Sequence, residues 1–335
     1  MTGTLTNPPR PPSFPWLLAD IGGSNARFGL MLDNHACVQH VRTIPVAEHA
    51  DPVGAVRTYL SEVAIAMGDQ FQPPRKAAFA VATAVTGDQI SFTNSHWSFS
   101  RSSVAKEIGL QTFLVINDFE ALALSLPRLS TAQLRPHQQM PPATGTLAVI
   151  GPGTGLGVSG VIQTAGGWLA LPCEGGHVTL AASNDFESAL LSQVRQTHAH
   201  VSAERLLSGI GLPVLHGAIA KLRGIDSANL TAELIVERGL DRSDPICSET
   251  IDTFCALLGS FAGNVALTLG ARGGVYIGGG IVPRLGDRFF TSRFRECFEA
   301  KGRFSNYLEY IPTALITDTL AALTGAAFAI EQSEL

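Results

Sequence analysis

The chain has 335 residues, of which 45% are hydrophobic and 15% are charged, and its formal net charge is −5. This composition is typical of a globular protein and excludes a disordered chain, while the length favours two domains over one core. The acidic balance gives no electrostatic reason to expect nucleic acid or an anionic membrane as a partner.

Residues 1–13 are polar and rich in proline. They lack the apolar core of a signal peptide, so we expect a flexible N-terminal lead. The chain has five cysteines and no CxxC pair, a pattern that favours a reduced protein over a disulfide scaffold. Together these features predict a cytoplasmic protein.

The first half of the chain alternates apolar strands with helical segments. Strands are predicted in "WLLADIGGSNARFGLML" (16–32, two strands around a glycine turn), "HVRTIPV" (40–46), "KAAFAVATAV" (76–85), "QISFTN" (89–94) and "TFLVI" (112–116). Helices are predicted in 51–67, with Asp51 as a possible N-cap, in 98–109 and in 119–126.

A polar, proline-containing connection, residues 128–145, precedes a second set of strands in residues 146–172. About 110 mostly helical residues follow, by the usual tests of length and periodicity. They end in a strand and glycine turn, "GGVYIGGGIVP" (273–283). A last strand (313–317) and a last helix (318–331) complete a pattern of strands followed by helices that occurs twice.

Residues 253–271 form an uncharged run that could pass for a membrane span. Gly259 and Gly263 in this run have the spacing of close helix contacts in membranes. The run also contains Ser, Thr and Asn, and a single span would separate two globular halves. A buried helix of the second half is therefore the favoured interpretation.

Two segments, 19–30 and 150–161, share an apolar strand, a glycine-rich turn and a second strand, which suggests an internal duplication. Successive backbone N–H groups in such turns can bind phosphate. The chain has no GxxxxGK[ST] motif, and "GLGVSG" (155–160) continues as a strand where a dinucleotide fold needs a helix. Each turn alone fits an ordinary hairpin, but with a third glycine cluster at 278–280 they favour a polyphosphate clamp.

Asp20 ends the first predicted strand, directly before the Gly22–Gly23 turn. A carboxylate beside bound phosphate would be repelled unless a cation lay between them, and Mg²⁺ is the usual cation, often held through water. The alternative is an aspartate that only starts a turn.

These motifs carry a resemblance to a known superfamily. Residues "DIGGSNARFGL", "GPGTGLGVSGV" and "GGVYIGGGIVPR" resemble the two phosphate motifs and the adenosine motif of the actin, hexokinase and Hsp70 superfamily, and "FLVINDFEALALSLP" and "DTLAALTGAA" resemble its two connecting helices. Within it the chain resembles the bacterial glucokinases of the non-ROK type, from about Trp16 to Ile330. The family signatures are "FTNSHW" (92–97), "NDFEA" (117–121), "GPGTGLG" (151–157), "CEGGHV" (173–178), "ERLLSG" (204–209) and "GGIVPR" (279–284).

The resemblance implies an α/β, two-domain actin-like ATPase fold, a duplicated ribonuclease-H-like arrangement with an interdomain cleft. It implies a small domain of residues 14–120 plus 318–335 and a large domain of residues 121–317. The implied reaction is ATP-dependent phosphorylation of glucose at the 6-hydroxyl, the first step of glycolysis, by a homodimer whose domains close over the sugar. Two small departures are Ser24, where threonine is usual, and Ile210, where proline is usual.

The resemblance also assigns roles to residues of this chain. Asp118 is the expected general base. The residues expected to hold the sugar are Asn94, Asn117, Asp118, Glu174, His177 and Glu204. The residues expected to bind ATP are Ala19, Asp20, Ile21, Gly22, Gly23, Ser24, Asn25, Arg27, Gly153, Thr154, Gly155, Gly278, Gly279 and Gly280. Asp20 is expected to hold Mg²⁺ through water, and Trp97 to pack in the core.

From the residues alone, plainer interpretations stay open. Asp118 falls where a helix N-cap would lie, Glu204 suits the first turn of a helix, and Glu174 and His177 could be structural. The other eight histidines are predicted to lie at the surface. The functional alternatives are a kinase for mannose, fructose or glucosamine, or a kinase that uses ADP or polyphosphate. A sugar-sensing DNA-binding regulator is disfavoured because 13 polar residues cannot form a DNA-binding segment.

Overall fold

The computed structural model of the chain describes residues 14–34, 37–92, 94–138, 143–226 and 228–334, so the predicted N-terminal lead lies outside the described residues. Contacts divide the chain into two compact units. The first comprises Met1–Arg128, Thr164–Ala170 and Thr319–Leu335, and the second Leu129–Gln163 and Leu171–Asp318. The domain boundary predicted at residue 120 falls inside a helix, all of which belongs to the first unit.

The elements alternate in chain order as follows. The strands are β1 (Trp16–Ile21), β2 (Asn25–Met31), β3 (Gln39–Pro45), β4 (Lys76–Val81), β5 (Gln89–Ser91), β6 (Ser98–Ser100), β7 (Thr112–Asn117), β8 (Leu134–Pro136), β9 (Thr146–Pro152), β10 (Leu156–Thr164), β11 (Gly167–Leu171), β12 (Gly274–Ile277) and β13 (Thr313–Ile316). The helices are α1 (Pro52–Met67), α2 (Arg101–Ile108), α3 (Asp118–Ser125), α4 (Asp185–Arg195), α5 (Leu212–Leu222), α6 (Ala232–Leu240), α7 (Pro245–Leu269), α8 (Val282–Leu285), α9 (Asp287–Thr291), α10 (Phe294–Glu299), α11 (Ser305–Glu309) and α12 (Ala321–Gln332).

The first unit is built on a sheet with the strand order β3-β2-β1-β4-β7. β1 runs antiparallel to β2 and parallel to β4, which runs parallel to β7. β1 and β4 are almost entirely apolar and buried, as expected for central strands covered on both faces. The carboxyl ends of β1, β4 and β7 therefore meet at one edge of the sheet, which carries Asp20 and Asn117.

Helices α3 and α12 pack closely within the first unit. Gly325 of α12 lies against the backbone of α3, where an added Cβ would overlap the carbonyl group of Ala121. Arg128, just after α3, also forms a bidentate ion pair with Glu331 of α12 at 2.8 and 2.9 Å. The glycine therefore sets the distance between the two helices.

The second unit contains strands in the order β10-β9-β12-β13-β8. β10 pairs antiparallel with β9, while β12 pairs parallel with both β9 and β13. A large apolar core covers this sheet and includes most of α7. The carboxyl ends of β9 and β12 share one edge, and each is followed by a glycine-rich turn.

The prediction that residues 253–271 form a buried helix is confirmed. By length and composition α7 could cross a membrane, but 83% of its apolar 18-residue window is buried inside the protein. Gly259 and Gly263 give the backbone of α10 room to approach, because a Cβ at Gly263 would lie 2.5 Å from the carbonyl oxygen of Phe298. The small-residue spacing thus serves helix packing within the second unit.

The predicted strands and helices are confirmed in order, apart from two short strands. Ser98–Ser100 were predicted as the start of a helix, but they form β6, which pairs antiparallel with β5. Residues 128–145 were expected to be a connection without strands, and that expectation is wrong. Leu134–Pro136 form β8, which pairs antiparallel with β13. Asp51 caps α1 as predicted, since its carboxylate accepts a hydrogen bond from the Gly54 N–H at 2.8 Å.

We expect Gly325→Ala to destabilise the first unit, because the new Cβ would force α12 away from α3. Overpacking of this kind costs roughly 1–3 kcal/mol or more, and the melting temperature should fall by several degrees. Gly217→Ala is the matched control, since Gly217 is also helical and has open space at its Cβ position. Equal melting temperatures for the two variants, measured by circular dichroism, would contradict the packing described here.

Candidate active site

The turn between β1 and β2 is held by its own backbone and lies against a second predicted site segment. The Gly22 N–H donates to the carbonyl oxygen of Asn25 at 2.9 Å. A Cβ at Gly23 would lie 2.6 Å from the carbonyl oxygen of Asn94, so only glycine fits there. The first predicted phosphate turn and Asn94 are therefore neighbours, while Trp97 is buried as predicted.

Asp20 lies opposite Arg27 across the β1–β2 pair. Burial raises the pKa of the Asp20 carboxyl, and the positive charge of Arg27 opposes that shift. Arg27 also donates to the carbonyl oxygen of Thr319 at 2.6 Å. A desolvated carboxyl beside a glycine turn is a hard oxygen ligand whose charged form a cation would stabilise, so the site fits Mg²⁺ held through water.

The other residues of this hairpin that were predicted to bind nucleotide differ in burial. Ala19 and Ile21 alternate with Asp20 along β1, and their side chains are fully buried in the core of the first unit. Only their backbone groups remain available to a ligand. Ser24 and Asn25, at the turn, are exposed.

The junction of β7 and α3 places Asn117 and Asp118 in different roles. The Asn117 side chain accepts hydrogen bonds from the N–H groups of Phe119 (2.9 Å) and Glu120 (3.3 Å), so Asn117 is the N-cap of α3. The interpretation of Asp118 as the cap is therefore wrong, since Asp118 is the first helical residue. Its carboxylate is half-buried at the positive end of the helix.

Asn117 is itself fixed by the sheet. Its side-chain amide donates to the carbonyl oxygen of Thr83 at 3.3 Å, just after β4. The amide oxygen is thus used by the helix and one N–H by the neighbouring loop, which leaves a second N–H hydrogen for another acceptor. The backbone that carries Asp118 is held between a strand and a capped helix.

In the second unit, three segments meet through backbone hydrogen bonds. In the turn after β9, the Gly153 N–H donates to the carbonyl oxygen of Gly155 at 2.8 Å. The Gly209 N–H donates to the carbonyl oxygen of Gly153 at 2.8 Å, and the Ile281 N–H to that of Pro152 at 3.1 Å. The predicted second phosphate turn is therefore tied to the end of the "ERLLSG" motif and to the glycine turn after β12.

The three glycines after β12, residues 278–280, have different surroundings. The Gly278 N–H donates to the carbonyl oxygen of Ile150 at 2.8 Å. Gly279 has a φ of +75° and lies directly on the backbone of Pro152, so a side chain there would be both strained and blocked. Gly280 has open space at its Cβ position.

Glu204 connects the second phosphate turn with the candidate sugar residues. Its Oε2 accepts a hydrogen bond from the Leu156 N–H at 2.9 Å, and a Cβ at Gly155 would lie 2.5 Å from the same oxygen. Its own N–H donates to the carbonyl oxygen of Gly176 at 2.9 Å. The carboxylate thus occupies the space that the glycine of the turn leaves.

Glu174, His177 and Glu204 form one cluster, as the sequence predicts. His177 Nε2 lies 3.9 Å from Glu174 Oε2, and its Nδ1 lies 3.9 Å from Glu204 Oε1. The side chains of Glu174 and His177 are 64% and 62% exposed, whereas that of Glu204 is 24% exposed. Two carboxylates on either side of an imidazole offer directed acceptors and a donor to vicinal hydroxyls.

A pocket of about 680 Å³ opens beside the second phosphate turn. It is lined by Gly153 and Thr154, the segment 209–213, the start of α6, and the turn around Gly280. Its polar lining includes Glu233 and Arg284. Hydrogen bonds from the Glu233 backbone and from Thr231, with the charge of Arg284, hold the pKa of the Glu233 carboxyl below its usual range.

The sequence predicted only part of this pocket. Gly153, Thr154 and Gly280 were expected to bind nucleotide, but the contributions of α5 and α6 were missed. One signal was available, because "ERLLSG" ends in Gly209, which borders the pocket. The residues of α6 carry no glycine or charge motif that would single them out.

Comparisons with known proteins identify the family of the chain. A family model described as glucokinase matches residues 17–333. The glucokinase of Aromatoleum aromaticum is 47% identical over 322 residues, covering 96% of each chain. That of Chromobacterium violaceum is 46% identical over 318 residues, covering 95% of this chain and 89% of its own.

A solved structure supports the same assignment. The crystal structure of a glucokinase from an Antarctic psychrotroph has a TM-score of 0.86 and 38% identity, covering 95% of this chain and 98% of that one. The predicted actin-like ATPase fold is confirmed by this likeness. On the matched family model and the identity to these relatives, this chain belongs to the glucokinase family.

Proposed function

We propose that this chain transfers the γ-phosphoryl group of ATP to the 6-hydroxyl of glucose, producing glucose 6-phosphate and ADP. The observation that carries the proposal is the position of Glu204. This carboxylate bonds the second phosphate turn through the Leu156 N–H and faces His177 in the candidate sugar cluster. A polyol and a polyphosphate would thus be recognised by adjoining parts of the second unit.

The sugar would be held by Glu174, His177 and Glu204, with Asn94 and Asn117 as further partners. Each carboxylate oxygen can accept a hydrogen bond from one hydroxyl, and the remaining N–H of Asn117 can donate to another. An analogue with a missing or inverted hydroxyl leaves one of these groups unpaired, which disfavours its binding. This set of partners supports a hexose with several free hydroxyls.

Asp118 would act as general base. As the sugar oxygen attacks, the new O–P bond forms, the bond from the γ-phosphorus to the ADP oxygen breaks, and the hydroxyl proton passes to the carboxylate. Proton removal of this kind typically contributes ~10²–10⁴-fold to the rate. The capped start of α3 fixes the backbone of Asp118, and such alignment supplies a further part of the acceleration.

The nucleotide would use the glycine turns and the pocket. Backbone N–H groups of the turns after β1 and β9 suit the phosphates, and the pocket of about 680 Å³ has room for a nucleoside. Asp20 would hold Mg²⁺ through water. The ion, when bound, neutralises charge on the β- and γ-phosphate oxygens.

We further propose that the protein is cytoplasmic, acts in the first step of glycolysis and forms a homodimer. The membership in the glucokinase family supports this proposal. Size-exclusion chromatography with light scattering measures the mass directly. A mass of one chain, 35.3 kDa, at micromolar concentration would contradict the dimer.

The proposed reaction is tested by a coupled assay with purified protein. Glucose, mannose, fructose and glucosamine are compared as acceptors with MgATP, and ATP, ADP and polyphosphate are compared as donors with glucose. We expect the highest kcat/KM with glucose and MgATP. A higher value for another pair would replace the proposed substrate, and no turnover of glucose with MgATP would refute the function.

Replacing Asp118 with Asn removes the proposed proton acceptor while keeping the side chain's shape. We expect kcat to fall ~10²–10⁴-fold with little change in the KM for glucose or in the melting temperature. Asp51→Asn is the matched control, since Asp51 caps α1 and asparagine caps equally well. Asp118→Asn with full kcat would exclude the assigned base.

Two substitutions of Glu204 distinguish its contact with the phosphate turn from its contact with the sugar cluster. Glu204→Gln keeps an acceptor for the Leu156 N–H but loses the charge, so the KM for glucose should rise roughly 10-fold or more, as for a lost charged hydrogen bond. Glu204→Ala also releases the phosphate turn, and the KM for ATP should rise as well. Steady-state kinetics give the KM for ATP and the KM for glucose of each protein. If both values in Glu204→Ala are the same as in the wild type, Glu204 does not link the two subsites.

Gly280 offers a test of the nucleotide pocket. Its Cβ position is open and its φ is not positive, so Gly280→Leu should fold normally while placing a side chain in the pocket. We expect the KM for ATP to rise at least about 10-fold, the size of a 1.4 kcal/mol loss, with the KM for glucose unchanged at saturating ATP. An unchanged KM for ATP would place the nucleoside elsewhere.

A further inference from the structure

A histidine, an aspartate and a cysteine meet inside the second unit, apart from the residues assigned to the reaction. His216 lies in α5, and Asp244 and Cys247 lie at the start of α7. One possible ligand atom of each lies within 4.8 Å of the other two. His216 is only 2% exposed, so the prediction that it lies at the surface is wrong.

The two ligands from α7 are held by the start of the helix. Asp244 is its N-cap, and Oδ1 accepts hydrogen bonds from the Ile246 N–H at 2.8 Å and the Cys247 N–H at 3.1 Å. The Cys247 sulfur lies near the same carboxylate. Because Asp244 and Cys247 are three residues apart at a helix start, both side chains lie on one side of the first turn.

The imidazole provides a second, independent observation. Nε2 of His216 is buried and has no hydrogen-bond partner among the residues that the structure describes. Buried polar nitrogens are nearly always paired. A cation ligated by Nε2 would give this nitrogen a partner, while a purely structural histidine would leave it unpaired.

The chemistry of the three ligands selects the class of cation. Nitrogen, sulfur and oxygen together suit zinc-like ions, whereas Mg²⁺ and Ca²⁺ prefer oxygen alone. A divalent ion with one carboxylate, one thiolate and a neutral imidazole has no net charge, so it is compatible with a buried position. Binding must release the proton of the Cys247 thiol, because the thiolate is the ligand.

We propose that His216, Asp244 and Cys247 bind one divalent cation of the zinc class, with water as a fourth ligand, and so tie α5 to the start of α7. The site is distinct from the Mg²⁺ expected beside Asp20. Leu212 and Pro213, one turn before His216, line the pocket. The ion would therefore brace one wall of the pocket from behind.

Cobalt titration of the chelator-treated, full-length protein tests this site. Co²⁺ should bind at one equivalent and give a near-ultraviolet band from thiolate ligation with visible bands of a tetrahedral ion, and Zn²⁺ should displace it. The band should be lost in Cys247→Ser. It should persist in Cys255→Ser, a buried cysteine of the same helix, and in Cys173→Ser, a cysteine beside the candidate sugar cluster.

His216→Gln gives a second line of evidence, because it removes the nitrogen ligand and leaves every thiol in place. We expect its affinity for Co²⁺ to fall at least about 10-fold, the size of a 1.4 kcal/mol loss. Zn²⁺ should raise the melting temperature of the wild type and not that of His216→Gln. No thiolate band in the wild type, or a band and affinity that survive both Cys247→Ser and His216→Gln, would overturn the proposal.

Discussion

The hydrogen bond from the Leu156 N–H to Oε2 of Glu204 is the constraint on which the second half of the site depends. It fills the space over Gly155, where a Cβ would displace the carboxylate, and it fixes which oxygen of Glu204 is left to face His177. A charged acceptor for a backbone donor is stronger than a neutral one. One carboxylate thus orders a phosphate-type turn and a polar cluster at once.

The backbone around this carboxylate is organised in the same way. Backbone hydrogen bonds, in addition to the Glu204 side chain, join the turns after β9 and β12 and the segment ending at Gly209. Glycine is required at Gly279, because its Cα lies against the backbone of Pro152. At Gly280 the space that a side chain would fill is open, and a ligand could enter there. A surface made of backbone groups suits an anion because its donors are fixed before binding.

In the first unit, the neighbouring side chains of Asn117 and Asp118 lie at the start of α3 and have different contacts. The neutral amide caps α3 and reaches the loop after β4, whereas the acidic group occupies the first helical position. Oδ1 of Asp118 accepts one backbone hydrogen bond, from the Phe119 N–H at 2.9 Å, whereas the Asn117 oxygen accepts two. Because the cap is Asn117, the residue before Asp118, one side chain joins the end of β7 to the start of α3 and fixes the backbone of Asp118.

Much of the fold could be predicted because glycine turns and apolar periodicity are local signals. The hairpins at 19–30 and 150–161 and the buried α7 are examples. The grouping of Glu174, His177 and Glu204 was implied only by the family resemblance. What failed depends on distant partners. β8 is three residues long and exists through its pairing with β13, and the burial of His216 depends on helices far along the chain. The α6 wall of the pocket has no local signature either.

In the proposed reaction, the γ-phosphoryl group of ATP is transferred to the oxygen on carbon 6 of glucose. The most direct measurement is a two-dimensional ¹H–³¹P correlation spectrum of the product formed from glucose and MgATP by the purified wild-type protein. We expect one new phosphomonoester whose phosphorus couples to the two protons on carbon 6. Coupling to another carbon's proton, or release of inorganic phosphate alone, would contradict it.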